Sequence, residues 1–398
     1  MKILHTAYTY WPCADGVSVA MQQISEGLAS RGHDVTVATA SHGNHALDNH
    51  AGVRIARFNV TGNAATGYGG DVAGYQRFVR EWEGDVMLNY AAQICTTDLV
   101  FPLLAELNCR KVLVPCGYSG LYMDAFADYF RDLPQSLREY DMLVYLSGNY
   151  RDNRFGDEHG LDRWTIIGNG ASEEEFGQPV TGFRDAYGIA EPRMFLCVSN
   201  FGEQKGQQQL IRAFSASGVR DAALVLIGSE FNRFAEVWLT TGTTRADRLR
   251  RRAKEAMITR GLWHAGQRTR WVRRLRDRNG SIYVLSNVPR QMIVSAYHEA
   301  DLFLLASHVE CAPLVLYEAM ASGTPFLSTD VGNARELKGG VVAPAEGFAD
   351  AMRNWAGEPD RWRSLGQLGR SMWHESATWS RLVQQYEHLY ESLRPVTG

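Results

Sequence analysis

Thirteen short apolar runs alternate with helical patterns along this 398-residue chain. The first seven begin near Ile3, Val35, Val53, Val86, Val112, Leu143 and Thr165, and six more near Phe195, Leu224, Ile282, Leu302, Phe326 and Val341. Short apolar runs, each followed by an amphipathic stretch, are what a parallel sheet covered on both faces requires. A series of this length predicts an α/β fold with two Rossmann-like, doubly wound domains in succession. Open sheets bind ligands beyond the carboxyl ends of their strands, so the expected site is a cleft across which the two domains face. No Gly-x-Gly-x-x-Gly follows a predicted strand, which argues against a nicotinamide or flavin dinucleotide site.

The boundaries follow from the same pattern. Residues 1–172 hold the first series. Residues 173–188, with Pro179, Gly182 and mixed charges, read as the linker, and 189–375 hold the second series. Leu382, Val383, Tyr386, Leu389, Tyr390 and Leu393 recur at helical spacing and place a last amphipathic helix within 376–398. Residues 60–74 read as a glycine-rich loop. The N-terminus lacks an apolar segment of signal-peptide length, and nowhere do 18 apolar residues run together, so the expected location is the cytoplasm. Six cysteines without Cys-x-x-Cys spacing predict reduced thiols and no metal site.

The most chemically pointed segment follows the run at Leu302. Glu310 and Glu318 bracket Cys311-Ala312-Pro313-Leu314-Val315-Leu316-Tyr317, with Pro313 suited to a helix start and Gly323 to its end. Glu310 then lies in the connecting loop, and Glu318 roughly 8 Å along the helix at ~1.5 Å per residue. Amides near Ala312, Pro313, Leu314 and Val315 fall between the two carboxylates. Unpaired amides and the helix dipole attract an anion, and the flanking carboxylates suit sugar hydroxyls on either side of a diphosphate. Lys205, in Val198-Ser199-Asn200-Phe201-Gly202-Glu203-Gln204-Lys205-Gly206, stands at a second helix start. A cation there opposes the dipole unless an anion lies between them.

This arrangement resembles the Glu-x7-Glu signature of retaining GT-B glycosyltransferases, the large family numbered four, with the likeness strongest over 301–336 and extending along nearly the whole chain. The resemblance implies a GT-B fold whose last helix crosses back onto the first domain. It implies that Glu310 faces the donor sugar, that Glu318 receives the nucleotide ribose, and that the turn between them holds the diphosphate. It also implies that Lys205 grips the diphosphate together with an Arg, but Asn200 occupies that Arg position, and Arg290 is a candidate replacement. Gly16 occupies the phosphate-facing turn of the first domain, where relatives have paired glycines. Asp15, Tyr118 and Ser119 are candidate acceptor contacts. A His expected near Tyr118 is absent, since none occurs between His50 and His159. The Asp-x-Asp of the metal-dependent GT-A class is also absent.

Residues 245–278 carry 13 Lys/Arg and three acids, a net of +10 in a chain of net −3. Apolar residues including Trp263, Trp271 and Leu275 interleave with them, as in interfacial helices on anionic lipid. A basic insertion, 231–281, folded over the second domain explains the segment equally well, and nucleic acid is not expected.

The expected function is retaining transfer of a sugar from a nucleotide-diphosphate sugar to a hydroxyl acceptor, a glycan or lipid-linked glycan of surface polysaccharide assembly. No cofactor is expected, and peripheral contact with the inner face of a membrane is. A binding protein without transfer activity and a nucleotide-sugar epimerase of similar architecture are the alternative readings.

Overall fold

The computed structural model describes residues 1–41, 48–230, 234, 235, 239 and 271–393. The chain divides into two compact units, one of residues 1–169 and 377–398, the other of residues 170–376.

The first unit is built on strands β1 (Lys2–Ala7), β2 (Asp34–Ala40), β3 (Asn49–His50), β4 (Val53–Phe58), β5 (Val60–Asn63), β6 (Gly67–Gly70), β7 (Val86–Tyr90), β8 (Arg110–Val114), β9 (Met142–Tyr145) and β10 (Trp164–Ile166). Eight form one sheet in the order β10-β9-β8-β7-β1-β2-β4-β3, parallel except at the β3 edge. β7 is buried at every position, as a central strand covered on both faces must be. Leu4, Met87, Leu113 and Leu143 of neighbouring strands meet Tyr75, Leu103 and Leu133 in one core.

The second unit contains β11 (Arg193–Val198), β12 (Ala222–Gly228), β13 (Trp271–Asp277), β14 (Gly280–Ser286), β15 (Leu302–Leu305), β16 (Phe326–Ser328) and β17 (Gly340–Val342), in the order β13-β14-β12-β11-β15-β16-β17. All thirteen apolar runs mark strands. The sequence pattern did not announce β13, which pairs antiparallel with β14 at the sheet edge, Trp271 opposite Ser286 through Asp277 opposite Gly280. The basic stretch therefore ends as an edge strand, not as an interfacial helix. Edge strands commonly carry charge that discourages further pairing. Residues 245–270, the greater part of the predicted basic insertion, lie outside the described residues.

Among the described helices are α1 (Gly16–Ser30), α2 (Gln207–Ser217), α3 (Arg290–Glu299), α4 (Leu314–Ser322) and α5 (Trp379–Leu393). Helix α5 returns to the first unit and packs on α1. A Cβ at Gly27 of α1 would lie 2.5 Å from Val383 Cγ2, so the crossing is close because Gly27 is small. Glu387 of α5 accepts from His33 Nε2 at 2.8 Å and pairs with Arg31. Beneath them the buried His5 ring contacts Ser25 Oγ at 2.8 Å and Tyr390 Oη at 3.1 Å. Burial holds the His5 pKa down to about 3, so this imidazole stays neutral.

Two segments differ from expectation. Residues 60–74 are not a plain loop: β5 and β6 form an antiparallel hairpin, and Tyr68 reaches Asp98 Oδ2 at 3.4 Å. Residues 173–188, read as the linker, fall within the second unit, because the division between units lies after Asn169. Short helices Glu173–Phe176 and Phe183–Tyr187 occupy the segment. Glu299 of α3 fixes the second of them, accepting from the Phe183 amide at 3.1 Å and the Arg184 amide at 2.8 Å.

Candidate functional site

In the second unit the chain moves from β11 outward through β12 to β14, then returns to β15 beside β11 and proceeds the other way through β16 to β17. This reversal opens a crevice outside the carboxyl ends of β11 and β15, where open α/β sheets bind ligands. Lys205 follows β11, and Glu310 follows β15. Their side chains meet: Lys205 Nζ donates to Glu310 Oε1 at 2.7 Å, with side-chain exposures of 32% and 16%.

The backbone makes that meeting possible. Lys205 ends a short 3-10 turn, Glu203–Lys205, and Gly206 then turns the chain into α2 with φ +67. A Cβ at Gly206 would lie 2.0 Å from the Ala306 carbonyl oxygen at the end of β15, so only glycine allows both the left-handed turn and the close approach. Gln207, the first residue of α2, is buried and clamps the same loop, donating to the Asn200 carbonyl at 2.8 Å and to Ser199 Oγ at 2.9 Å. Asn200, which stands where the resemblance implies an Arg, accepts from Ser229 Oγ at 2.7 Å.

The Glu310 loop is braced from the other side. Asn333 donates its amide to the Cys311 carbonyl at 3.0 Å and its side chain to Tyr317 Oη at 2.6 Å. Gly332, at φ +52, lets this brace approach, since a Cβ there would lie 2.0 Å from the Cys311 oxygen. Helix α4 begins at Leu314, and Pro313 is its N-cap without any side-chain cap. Pro313 therefore stands one position earlier than expected and, lacking an N–H, adds no donor. The first-turn amides of Leu314 and Val315 have no acceptor within the helix and carry the positive end of its dipole.

Glu318, one turn further along α4, is 8% exposed. It pairs with Arg290, the first residue of α3, at 2.6 Å. Arg290 also donates through Nε and Nη2 to both oxygens of Glu175, at 2.8 and 2.6 Å, and lies over the Phe176 ring at 5.5 Å. Partial desolvation opposes its charge, but the Glu318 and Glu175 carboxylates outweigh that effect and raise its pKa. Burial first, and then the Glu318 charge beside it, raise the Tyr297 phenol well above its ordinary value. Glu175, Gln207 and Asn333 carried no sequence signal of their own. Gln207 directly follows the Lys205 segment, and Asn333 lies within the 301–336 stretch of strongest likeness.

The first unit repeats the topology, with the reversal between β1 and β7. Gly16 opens α1 after β1. Asp15 is the cap of that helix: its Oδ1 accepts from the amides of Val17 and Ser18, both at 3.1 Å, and from Thr9 Oγ1 at 3.0 Å. These three bonds commit that oxygen to the helix start. Ser119 is exposed. Tyr118, a candidate acceptor contact, belongs to the core: it is 1% exposed and its ring meets Phe130 and Phe155 edge-on at 5.4 Å. The loops after β7 and β8 concentrate backbone strain, with positive φ at Ala91, Gln93, Cys116 and Tyr118. Gln93 ties them together, its Oε1 accepting from the Gly120 amide at 3.1 Å, and Asp98 is buried nearby. Asp98 accepts from the Gln93 amide at 3.1 Å and Tyr129 Oη at 2.9 Å, and burial pushes its pKa up to about 7.

Residues 181–361 match the family described as Glycosyl transferases group 1. N-acetyl-alpha-D-glucosaminyl L-malate synthase of Bacillus anthracis is 26% identical over 226 residues, which are 54% of this chain and half of that protein's length. Sucrose-phosphate synthase from Thermosynechococcus elongatus superposes with a TM-score of 0.73 at 18% identity, covering 98% of each chain. Anabaena HepE, solved in complex with UDP and glucose, superposes with a TM-score of 0.68 at 16% identity, covering 99% of this chain and all of that one. The fold is two Rossmann-like parallel-sheet α/β domains, as in GT-B glycosyltransferase structures.

Proposed function

We propose that this chain is a retaining glycosyltransferase that moves a sugar from a nucleotide-diphosphate sugar to a hydroxyl acceptor. The single observation that carries the reading is the Lys205–Glu310 pair at the reversal between β11 and β15, inside the segment that matches Glycosyl transferases group 1. An ammonium, two first-turn amides and a sheltered carboxylate together suit a diphosphate with a sugar attached. On donor binding, Lys205 leaves Glu310 for the diphosphate oxygens, and Glu310 turns to the hydroxyls of the sugar. The Leu314 and Val315 amides take charge as the nucleoside diphosphate departs. The acceptor hydroxyl attacks from the face the leaving group vacates and passes its proton to the departing phosphate.

Uracil is the base to test first, because UDP is bound in HepE, a structural neighbour. The acceptor class proposed is a glycan or lipid-linked glycan in surface polysaccharide assembly, made in the cytoplasm or at the inner face of a membrane. Among the described residues no helix is long and apolar enough to cross a membrane. Metal independence is part of the proposal: transfer should persist in EDTA.

A second reading, nucleotide-sugar binding without transfer, draws on Asn200. The resemblance implies an Arg there, and here the Asn200 side chain is engaged by Ser229, so the leaving group meets one fewer cation. Thermal protection by UDP-, GDP-, ADP- and dTDP-sugars identifies the donor. Incubating that donor with candidate acceptors and reading the product's anomeric configuration by NMR then separates the two readings. Hydrolysis or transfer with retention supports the enzyme; tight binding with neither supports the binding protein.

A further inference from the structure

Glu318 is a carboxylate at 8% exposure on a helix, a placement that costs free energy unless a cation or several donors meet it. Arg290 meets it at 2.6 Å, and the same guanidinium reaches both oxygens of Glu175. A planar guanidinium with five N–H donors can span two carboxylates at fixed angles, whereas an ammonium cannot do so with comparable geometry. With Glu175 occupying one edge and Phe176 covering a face at 5.5 Å, the guanidinium has little freedom left. Three elements distant in sequence thus converge on Glu318: the turn of Glu173–Phe176, the start of α3 and the middle of α4.

We propose that Arg290 is a positioning residue for the donor nucleotide, holding the Glu318 carboxylate so that its remaining acceptor capacity is aimed at the two hydroxyls of a ribose, while Glu175 holds Arg290 in place. The inference rests on the nucleotide-sugar reading of the site. It assigns Arg290 a different task from that of a substitute diphosphate ligand. A guanidinium already shared by two carboxylates has its charge neutralised locally, and moving it to a phosphate would strand Glu318 without its cation.

The test compares a nucleoside diphosphate with its 2′,3′-dideoxy form, using UDP, GDP and ADP and taking whichever the wild-type protein binds most tightly by calorimetry. Wild type should prefer the ribose form by on the order of tenfold to a hundredfold, as hydrogen bonds to a charged group give. Glu318→Gln sets the reference for a lost preference. Arg290→Gln should reduce the preference to about threefold or less while affinity for the dideoxy form stays within about twofold of wild type. Arg290→Lys should give an intermediate preference, and it reads the same ratio if Arg290→Gln fails to fold. Equal weakening of both ligands in Arg290→Gln overturns the proposal, since that is the signature of a phosphate contact or of general loosening. A wild-type preference retained in Arg290→Lys also overturns it, because charge alone would then suffice. If the wild-type protein binds none of the three diphosphates, the donor reading itself falls and takes this inference with it, a failure visible before any variant is made.

Discussion

Lys205 Nζ lies 2.7 Å from Glu310 Oε1, so the two residues that sequence placed on a diphosphate and on a sugar are bonded to each other. The pair is 32% and 16% exposed, and neither partner is sealed from solvent. An anion that enters must take Lys205 from Glu310, and a sugar hydroxyl then replaces the ammonium on the carboxylate.

Substitution at this pair should separate binding from transfer. Glu310→Gln removes the competitor for Lys205, so nucleoside diphosphate affinity should hold or rise. Transfer should fall by about a hundredfold or more, as when an electrostatic partner of a reacting group is lost. Lys205→Ala should lower both diphosphate affinity and transfer. Calorimetry beside a steady-state assay checks this, and a parallel loss of affinity in both variants would contradict the exchange.

Gly206 should resist substitution. With φ +67 and the Ala306 carbonyl 2.0 Å from any added Cβ, Gly206→Ala must move either the Lys205 turn or the end of β15. A loss of about 1–3 kcal/mol in urea unfolding is expected from strain of this kind, with transfer activity reduced further because Lys205 shifts. A variant as stable as wild type would show that the turn is not under this constraint.

Docking of α5 on α1 should depend on Gly27. Gly27→Ala places a methyl 2.5 Å from Val383 Cγ2, and valine has little rotameric freedom to yield. Overpacking of about 1–3 kcal/mol outweighs the ~1 kcal/mol gained in helix propensity. Adding Val383→Ala should recover part of the loss, so the double mutant melts above Gly27→Ala in a thermal scan.

Two buried groups of the first unit give opposite pH dependences. Asp98 titrates near 7 when folded and near 4 when unfolded. Its contribution is complete below the unfolded value and fades as pH rises through 7. Three pKa units at about 1.4 kcal/mol each set an upper bound of about 4 kcal/mol. His5 has a folded value of about 3, so its contribution is complete above the unfolded value near 6.5 and fades as pH falls toward 3. Denaturant melts from pH 4 to 8 should show Asp98→Asn becoming more favourable relative to wild type as pH rises. A pH-independent difference would mean that Asp98 is ionised throughout.

The chain's own pattern located every apolar strand, because alternation of short apolar runs with helical spacing is a property of neighbours in sequence. Glu310, Lys205 and Glu318 were legible for the same reason: each stands a fixed number of residues from a strand end. Burial decided the rest. Tyr118, a candidate acceptor contact, is enclosed by Phe130 and Phe155. Asp15, another candidate acceptor contact, commits one of its oxygens to the amides of Val17 and Ser18. The strands β6, which reads Gly-Tyr-Gly-Gly, and β13, which reads as a basic run, have no apolar alternation and exist because neighbouring backbones pair with them. Amino-acid order therefore determined two series of strand and helix units and a motif suited to a diphosphate. Only tertiary structure decided that Arg290 serves Glu318 and Glu175, and that Lys205 rests on Glu310. Such pairings join residues up to 115 positions apart, and no local periodicity records which charge a folded chain will bring to which.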